Sequence, residues 1–137
     1  VAYKIVSQAK AWWPIRFNGV TEEGEIVVNE IRGRFVILDE DEFVAFNDDV
    51  AKVGSELVQA DNPDDRKTLS GVLSPFILRI LENWEGVIED DGSEGGRSVP
   101  FTKDNLERML RVPNFAGGVT EAYRDLRKAQ PEQRKGN

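Results

Sequence analysis

At Leu38 the apolar residues of this chain change their spacing. Before it, Trp13, Ile15 and Phe17 recur at every second position, with Trp12, Pro14 and Arg16 between them. A period of two sends alternate side chains to opposite faces of a strand. After it, Phe43, Phe46, Val50, Val53 and Leu57 recur at steps of three and four, which draws one apolar stripe along a helix. A chain that begins with period two and continues with period 3.6 must pack a sheet against helices. The expected class is α+β: a small N-terminal, mainly antiparallel sheet followed by about four α-helices.

Within the first 38 residues, Tyr3 to Val6 reads as a short strand. Ala11 to Phe17 reads as a second, with Pro14 marking an edge or a bulge. Asn18-Gly19 is a hairpin signal, and Thr21 to Gly24 is a second turn-like cluster. Glu25 to Ile31 and Arg34 to Leu38 are rich in β-branched residues and are divided by Gly33. Three or four strands are expected here.

The helices announce themselves by their starts. Asp39 stands where a cap belongs, Glu42 completes a capping box, and Leu38 and Phe43 are spaced as a hydrophobic staple. A helix is expected from about Glu40 to Gln59. Asp61 to Lys67 is a polar loop. Ser74-Pro75 is a cap followed by a favourable first helical residue, opening a helix from Pro75 to Trp84 that Gly86 stops. Its start could also lie earlier, near Thr68. Glu85 to Ser98 reads as a loop. Phe101, Thr102 and Leu106 repeat the stapled cap, and Val112-Pro113 ends the helix they begin. A last helix from about Asn114 to Lys128 carries Phe115, Val119, Ala122, Tyr123 and Leu126 on one side, with Gly117-Gly118 weakening its first turns. One domain is expected over residues 1–129, its sheet in 1–38 and its helical part in 39–129. Residues 130–137 are expected to form a disordered tail.

Composition narrows the chemistry. The chain has no cysteine and no histidine, so disulfides, thiolate metal sites and histidine-based nucleophile systems cannot be built. No run approaches the length of a membrane span, and no signal-peptide pattern opens the chain, which together imply a soluble intracellular protein. The net charge is −7 and unevenly spread: residues 39–65 hold ten acids and one base, and residues 85–96 hold five acids and none. Such a surface repels phosphate backbones and suits a basic protein partner. The short basic end after Tyr123 does not outweigh this.

The acidic loop Glu89-Asp90-Asp91-Gly92-Ser93-Glu94 does not match a calcium loop, because Phe101 falls where the closing Glu belongs. The acids of Asp39 to Glu42 are those a helix start wants for its dipole. No catalytic, cofactor-binding or metal-binding residue is assigned, and neither an enzyme nor a cofactor is expected. Trp12 and Trp13 are adjacent, so a strand must send one inward and one outward.

The order Ile80-Leu81-Glu82-Asn83-Trp84-Glu85-Gly86-Val87, the acidic loop, Val99-Pro100-Phe101-Thr102, Asn105-Leu106, Leu110, Pro113 and Ala122-Tyr123 resembles the tail assembly chaperones of long-tailed bacteriophages. Arg34-Phe35-Val36-Ile37-Leu38 leading into an acidic helix, and the closing Gly136-Asn137, are similar too. The likeness runs from about Trp12 onward. The glycine-lengthened loop Gly92 to Gly96 and the pair Gly117-Gly118 depart from it.

The resemblance implies a non-catalytic protein of the host cytoplasm. It would bind and solubilise the tape measure protein, help recruit tail tube subunits, and be absent from the mature virion. It further implies a short form that a translational frameshift can extend, and homo-oligomerisation; no nucleic-acid or membrane partner is expected. A holder of that kind needs exposed apolar anchors on a charged body. Trp12, Phe17 and the outward side of the last helix near Tyr123 are the anchors expected from the sequence. The alternatives are a structural head–tail joining or tail component of the virion, a carboxylate-dependent metal-binding enzyme, and an acidic mimic of nucleic acid.

Overall fold

The computed structural model describes residues 1–58 and 69–129. The fold is α+β. Two long strands, β1 (Ala9–Val20) and β2 (Ile26–Ile37), form an antiparallel hairpin, followed by helices α1 (Glu40–Val58) and α2 (Leu69–Ile80). A third strand, β3 (Leu81–Glu85), then joins the free side of β2, giving the order β1-β2-β3. Two short strands, β4 (Ile88–Glu89) and β5 (Arg97–Ser98), pair with each other, and helices α3 (Lys103–Leu110) and α4 (Phe115–Lys128) complete the chain.

Several local expectations change. The first 38 residues supply two strands rather than three or four, and Tyr3 to Val6 joins no sheet. Strand β2 runs unbroken through Gly33, which sits on the buried face: a Cβ there would lie 2.7 Å from the Ile15 side chain and 2.8 Å from that of Leu81. Asn18-Gly19 stays within β1, opposite Val28 and Val27. The reversal falls at Thr21 to Glu25, where the Glu25 N–H donates to the Thr21 hydroxyl at 3.0 Å and Gly24 takes φ 86°. That is the position at which the two halves of the hairpin bury their alternate apolar residues together, and register follows burial.

Helix α2 starts at Leu69 and ends at Ile80, so Pro75 lies inside it and Leu81 to Trp84 are strand. The stripe Ile77, Ile80, Leu81, Trp84 has helical spacing, and Leu81 and Trp84 share the inner face of β3 because the β2–β3 register shifts between Arg34 and Phe35. Pairing with β2 decides the matter, since Arg32, Gly33 and Arg34 would otherwise hold open backbone groups beside the core. The Asn83 side chain takes the Trp84 N–H at 2.9 Å, a local bond that competes with helix. Ser74 is a fully buried residue whose hydroxyl donates to Glu107 at 3.3 Å, not a cap. The segment from Glu85 to Ser98 contains the β4–β5 ladder.

The caps at Asp39 and Thr102 form as expected. Asp39 accepts from the Glu42 N–H at 2.8 Å while Glu42 accepts from the Asp39 N–H at 3.2 Å, the reciprocal capping box. Thr102 accepts from the Asn105 N–H at 3.1 Å, and Phe101 meets the edge of Trp84 with ring centroids 4.9 Å apart. The core lies on one face of the sheet. Trp13, Ile15, Phe35, Leu81 and Trp84 point into it, covered by Ile77 and Ile80 of α2, Leu106 and Leu110 of α3, and Phe115, Val119, Tyr123 and Leu126 of α4. On α1, Phe46 is buried and Phe43 and Val50 pack against the core; the Leu57 side chain, the Asp61 to Lys67 loop and the 130–137 tail lie outside the described residues.

Candidate partner-binding surface

One face of the sheet is core, and the other carries charge around a single tryptophan. Trp13 is 7 % exposed, while its neighbour Trp12 turns to the outer face and is half-buried there. The Arg32 guanidinium carbon stands 5.2 Å from the centre of a Trp12 ring. This contact combines cation–π attraction with shielding of one ring face. Around them run cross-strand ion pairs: Arg16–Glu30 at 2.7 Å, Lys10–Glu82 at 3.0 Å, Arg32–Glu85 and Arg34–Glu82 at 3.1 Å. Exposed pairs of this sort each add at most about 1 kcal/mol. Their larger effect is to hold long side chains in fixed places beside the indole.

The hairpin tip extends this outer surface with apolar residues. Val20 is 70 % and Ile26 77 % exposed, and Val28 is also open, whereas Val27, opposite Gly19, faces the other side. Val20 and Ile26 lie at the end of strands longer than the core they cover, and Val28 also faces the start of α4.

The other two expected anchors are core residues, and the expectation that they are exposed is corrected. Phe17 packs edge-on against Phe115 with centroids 5.2 Å apart. Its odd-numbered position places it with Trp13 and Ile15 on the inner face. Tyr123 is 2 % exposed. Its hydroxyl donates to the Val36 carbonyl at 2.9 Å and accepts from the Leu38 N–H at 2.9 Å. The outward residues beside it on α4 are Glu121, Arg124 and Asp125, which are charged.

A groove of about 500 Å³ runs between β1 and α4, lined by Pro14, Arg16 and Asn18 from the strand and Gly117, Glu121 and Asp125 from the helix. It exists because α4 touches the strand closely at one place. A Cβ on Gly118 would stand 2.6 Å from the Arg16 carbonyl oxygen, and the Asn114 amide donates to the Asn18 carbonyl at 3.0 Å. Alternate residues of a strand direct their backbone groups the same way. Pro14 therefore shares the outward edge with Arg16 and Asn18, the place where its missing N–H costs no ladder bond. Sequence alone did not point to this groove, because Gly118 reads as a helix weakness until the strand it abuts is known.

The acidic loop spends its carboxylates on its own turns. Asp90 accepts from the Gly92 N–H at 3.0 Å, and Asp91 accepts from the N–H of Ser93 at 2.9 Å and from its hydroxyl. These bonds from Ser93 hold the Asp91 carboxyl below its ordinary pKa. Glu89 is likewise lowered, first by the hydrogen bond from Arg97 and then by the charge of Arg108. Among the described residues no three acidic side chains converge as a metal-ligand set, and none of their helices is long and apolar enough to cross a membrane. No family model matches the chain, and neither a search of curated proteins nor one of solved structures gives a match.

Proposed function

We propose that this chain is a non-enzymatic tail assembly chaperone of a long-tailed phage, one that binds and solubilises the tape measure protein and helps recruit tail tube subunits in the host cytoplasm. The observation that carries this is a folded, strongly charged domain that leaves apolar surface open on one side: Trp12 on the outer sheet face and Val20, Ile26 and Val28 at the hairpin tip. Open apolar residues set among charges, here at Trp12 and separately at the hairpin tip, suit capture of an aggregation-prone partner. The resemblance of the segment from Ile80 to Tyr123 to such chaperones supports the same function.

The mechanism needs no reacting group. Trp12 and the hairpin valines would cover apolar stretches of the tape measure protein, and the acidic surface of α1 would keep the complex soluble. Each contact is small, so holding a long partner would depend on several copies acting together.

Co-expression tests this. A tape measure protein should stay soluble with this chain and aggregate without it, and the chain should be missing from purified particles by mass spectrometry. Equal solubility in both cases would overturn the chaperone function. A chain retained in finished particles would instead favour a structural tail component.

A further inference from the structure

Two features of the molecule are complementary and unused by one another. The first is residues 1–8, which precede β1 and join no sheet. Tyr3 is 81 % and Ile5 92 % exposed, and Val1 and Val6 are open as well. The segment Val-Ala-Tyr-Lys-Ile-Val is rich in residues that favour extended structure, and its one charged side chain is Lys4. The second is the β1–α4 groove. Its floor is the outward edge of β1, which pairs only with β2 among the described strands. Its far wall carries Glu121 and Asp125, one helical turn apart. Arg16, which also lines it, is held by Glu30 at 2.7 Å, so the groove is acidic on balance.

We propose that residues 1–8 of one copy of this chain lie extended in the β1–α4 groove of a second copy. Tyr3 and Ile5 cover the apolar surface left open at Pro14 and Val28, and Lys4 meets Glu121 and Asp125. The occupant is a second copy rather than the same chain for a local reason. A tight hairpin between residues 1–6 and the start of β1 would turn at Ser7-Gln8, and two-residue hairpin turns require left-handed residues, normally Gly, Asn or Asp. Neither Ser7 nor Gln8 adopts positive φ. Pro14 withholds one donor on the edge, so side-chain burial and charge carry the contact more than a full ladder does. This inference goes beyond the chaperone function and holds whatever the chain's other partner is.

Sedimentation velocity on the full chain over a broad concentration range tests it. Wild type should self-associate. Tyr3→Ser combined with Ile5→Ser should weaken association by about tenfold or more, since each removes an apolar contact. Lys4→Glu should weaken it about two- to fivefold, and Lys4→Glu paired with Glu121→Lys should recover it. These residues are exposed, so the fold is retained and circular dichroism confirms it. A chain that stays monomeric throughout, or association indifferent to these substitutions, would overturn the proposal.

The absence of cysteine allows a second arm. Gly117 has open space where a side chain would stand. Mixing an Ile5→Cys chain with a Gly117→Cys chain under mild oxidant should give a disulfide-linked pair containing one of each. A cross-link that forms only within a single chain carrying both substitutions would show the segment folding onto its own groove, and no link at all would place it elsewhere; either result overturns the proposal.

Discussion

The Tyr123 hydroxyl accepts a hydrogen bond from the Leu38 N–H, 85 positions earlier in the chain, at 2.9 Å. Leu38 is the residue at which strand gives way to helix. Its N–H is taken by Tyr123 and its carbonyl by Arg127, which also reaches Glu40 at 2.8 Å and lies 3.9 Å over the Phe43 ring. The last helix therefore closes over the point where the chain changes its secondary structure, and the two backbone groups that neither element could satisfy are satisfied there.

Tyr123→Phe should lower stability by about 1–3 kcal/mol, because a buried N–H and carbonyl lose their partner while the ring packing remains. Urea denaturation checks this. The midpoint should fall with no change in slope, and an unshifted midpoint would show that water replaces the hydroxyl.

The adjacent glycines of α4 should respond in opposite directions. Gly118→Ala drives a Cβ to 2.6 Å from the Arg16 carbonyl, forcing helix and strand apart at a cost of about 1–3 kcal/mol. Gly117→Ala meets open space and should stabilise the protein by about 0.5–1 kcal/mol by restricting the unfolded chain. Thermal unfolding of the two variants side by side decides it, and a shared sign would refute the close approach of α4 to β1.

Trp12→Ser should leave the fold intact, because the inner face does not use this side chain. In the proposed function it should weaken capture of the tape measure protein by about 2 kcal/mol, roughly 30-fold. Solubility in co-expression, with circular dichroism as the control, reads both. Full capture by the folded variant would remove the outer sheet face from consideration.

Asp91 and Glu89 have folded-state pKa values below the ordinary carboxylate range. The unfolded chain therefore binds their protons more readily. Their contribution to stability is present above the ordinary carboxylate pKa and is lost as pH falls through the depressed folded values. Ser93→Ala removes both the hydroxyl bond and part of the turn at Asp91. Carboxyl titration by NMR should then show the Asp91 pKa rising towards its ordinary value with Glu89 unmoved; an unmoved Asp91 would show that Ser93 is not the cause.

The first helix start, the third helix and the last helix were legible in the chain because their causes are local. Asp39 with Glu42, and Thr102 with Asn105, bond across three residues, and the stripe from Phe115 to Leu126 needs only its own periodicity. Alternation likewise placed Trp12 and Trp13 on opposite faces. The stretch from Leu81 to Trp84 was not legible: its spacing fits a helix, and only the open side of β2 makes it a strand. Gly33 and Gly118 read as interruptions for the same reason, since each is required by an atom far along the chain, Ile15 and Leu81 in one case and the Arg16 carbonyl in the other.

The exposure of Phe17 and Tyr123 was decided at this level too. Sequence determined that both lie on apolar faces, and the tertiary structure determined that those faces meet each other rather than a partner. Local hydrogen bonds and side-chain period are properties of short segments, so sequence alone settled the fold class, the starts of α1, α3 and α4, and the absence of thiol and imidazole chemistry. Which surfaces remain open depends on what packs against them, and that was fixed only when α4 closed over β1 and the turn at Leu38.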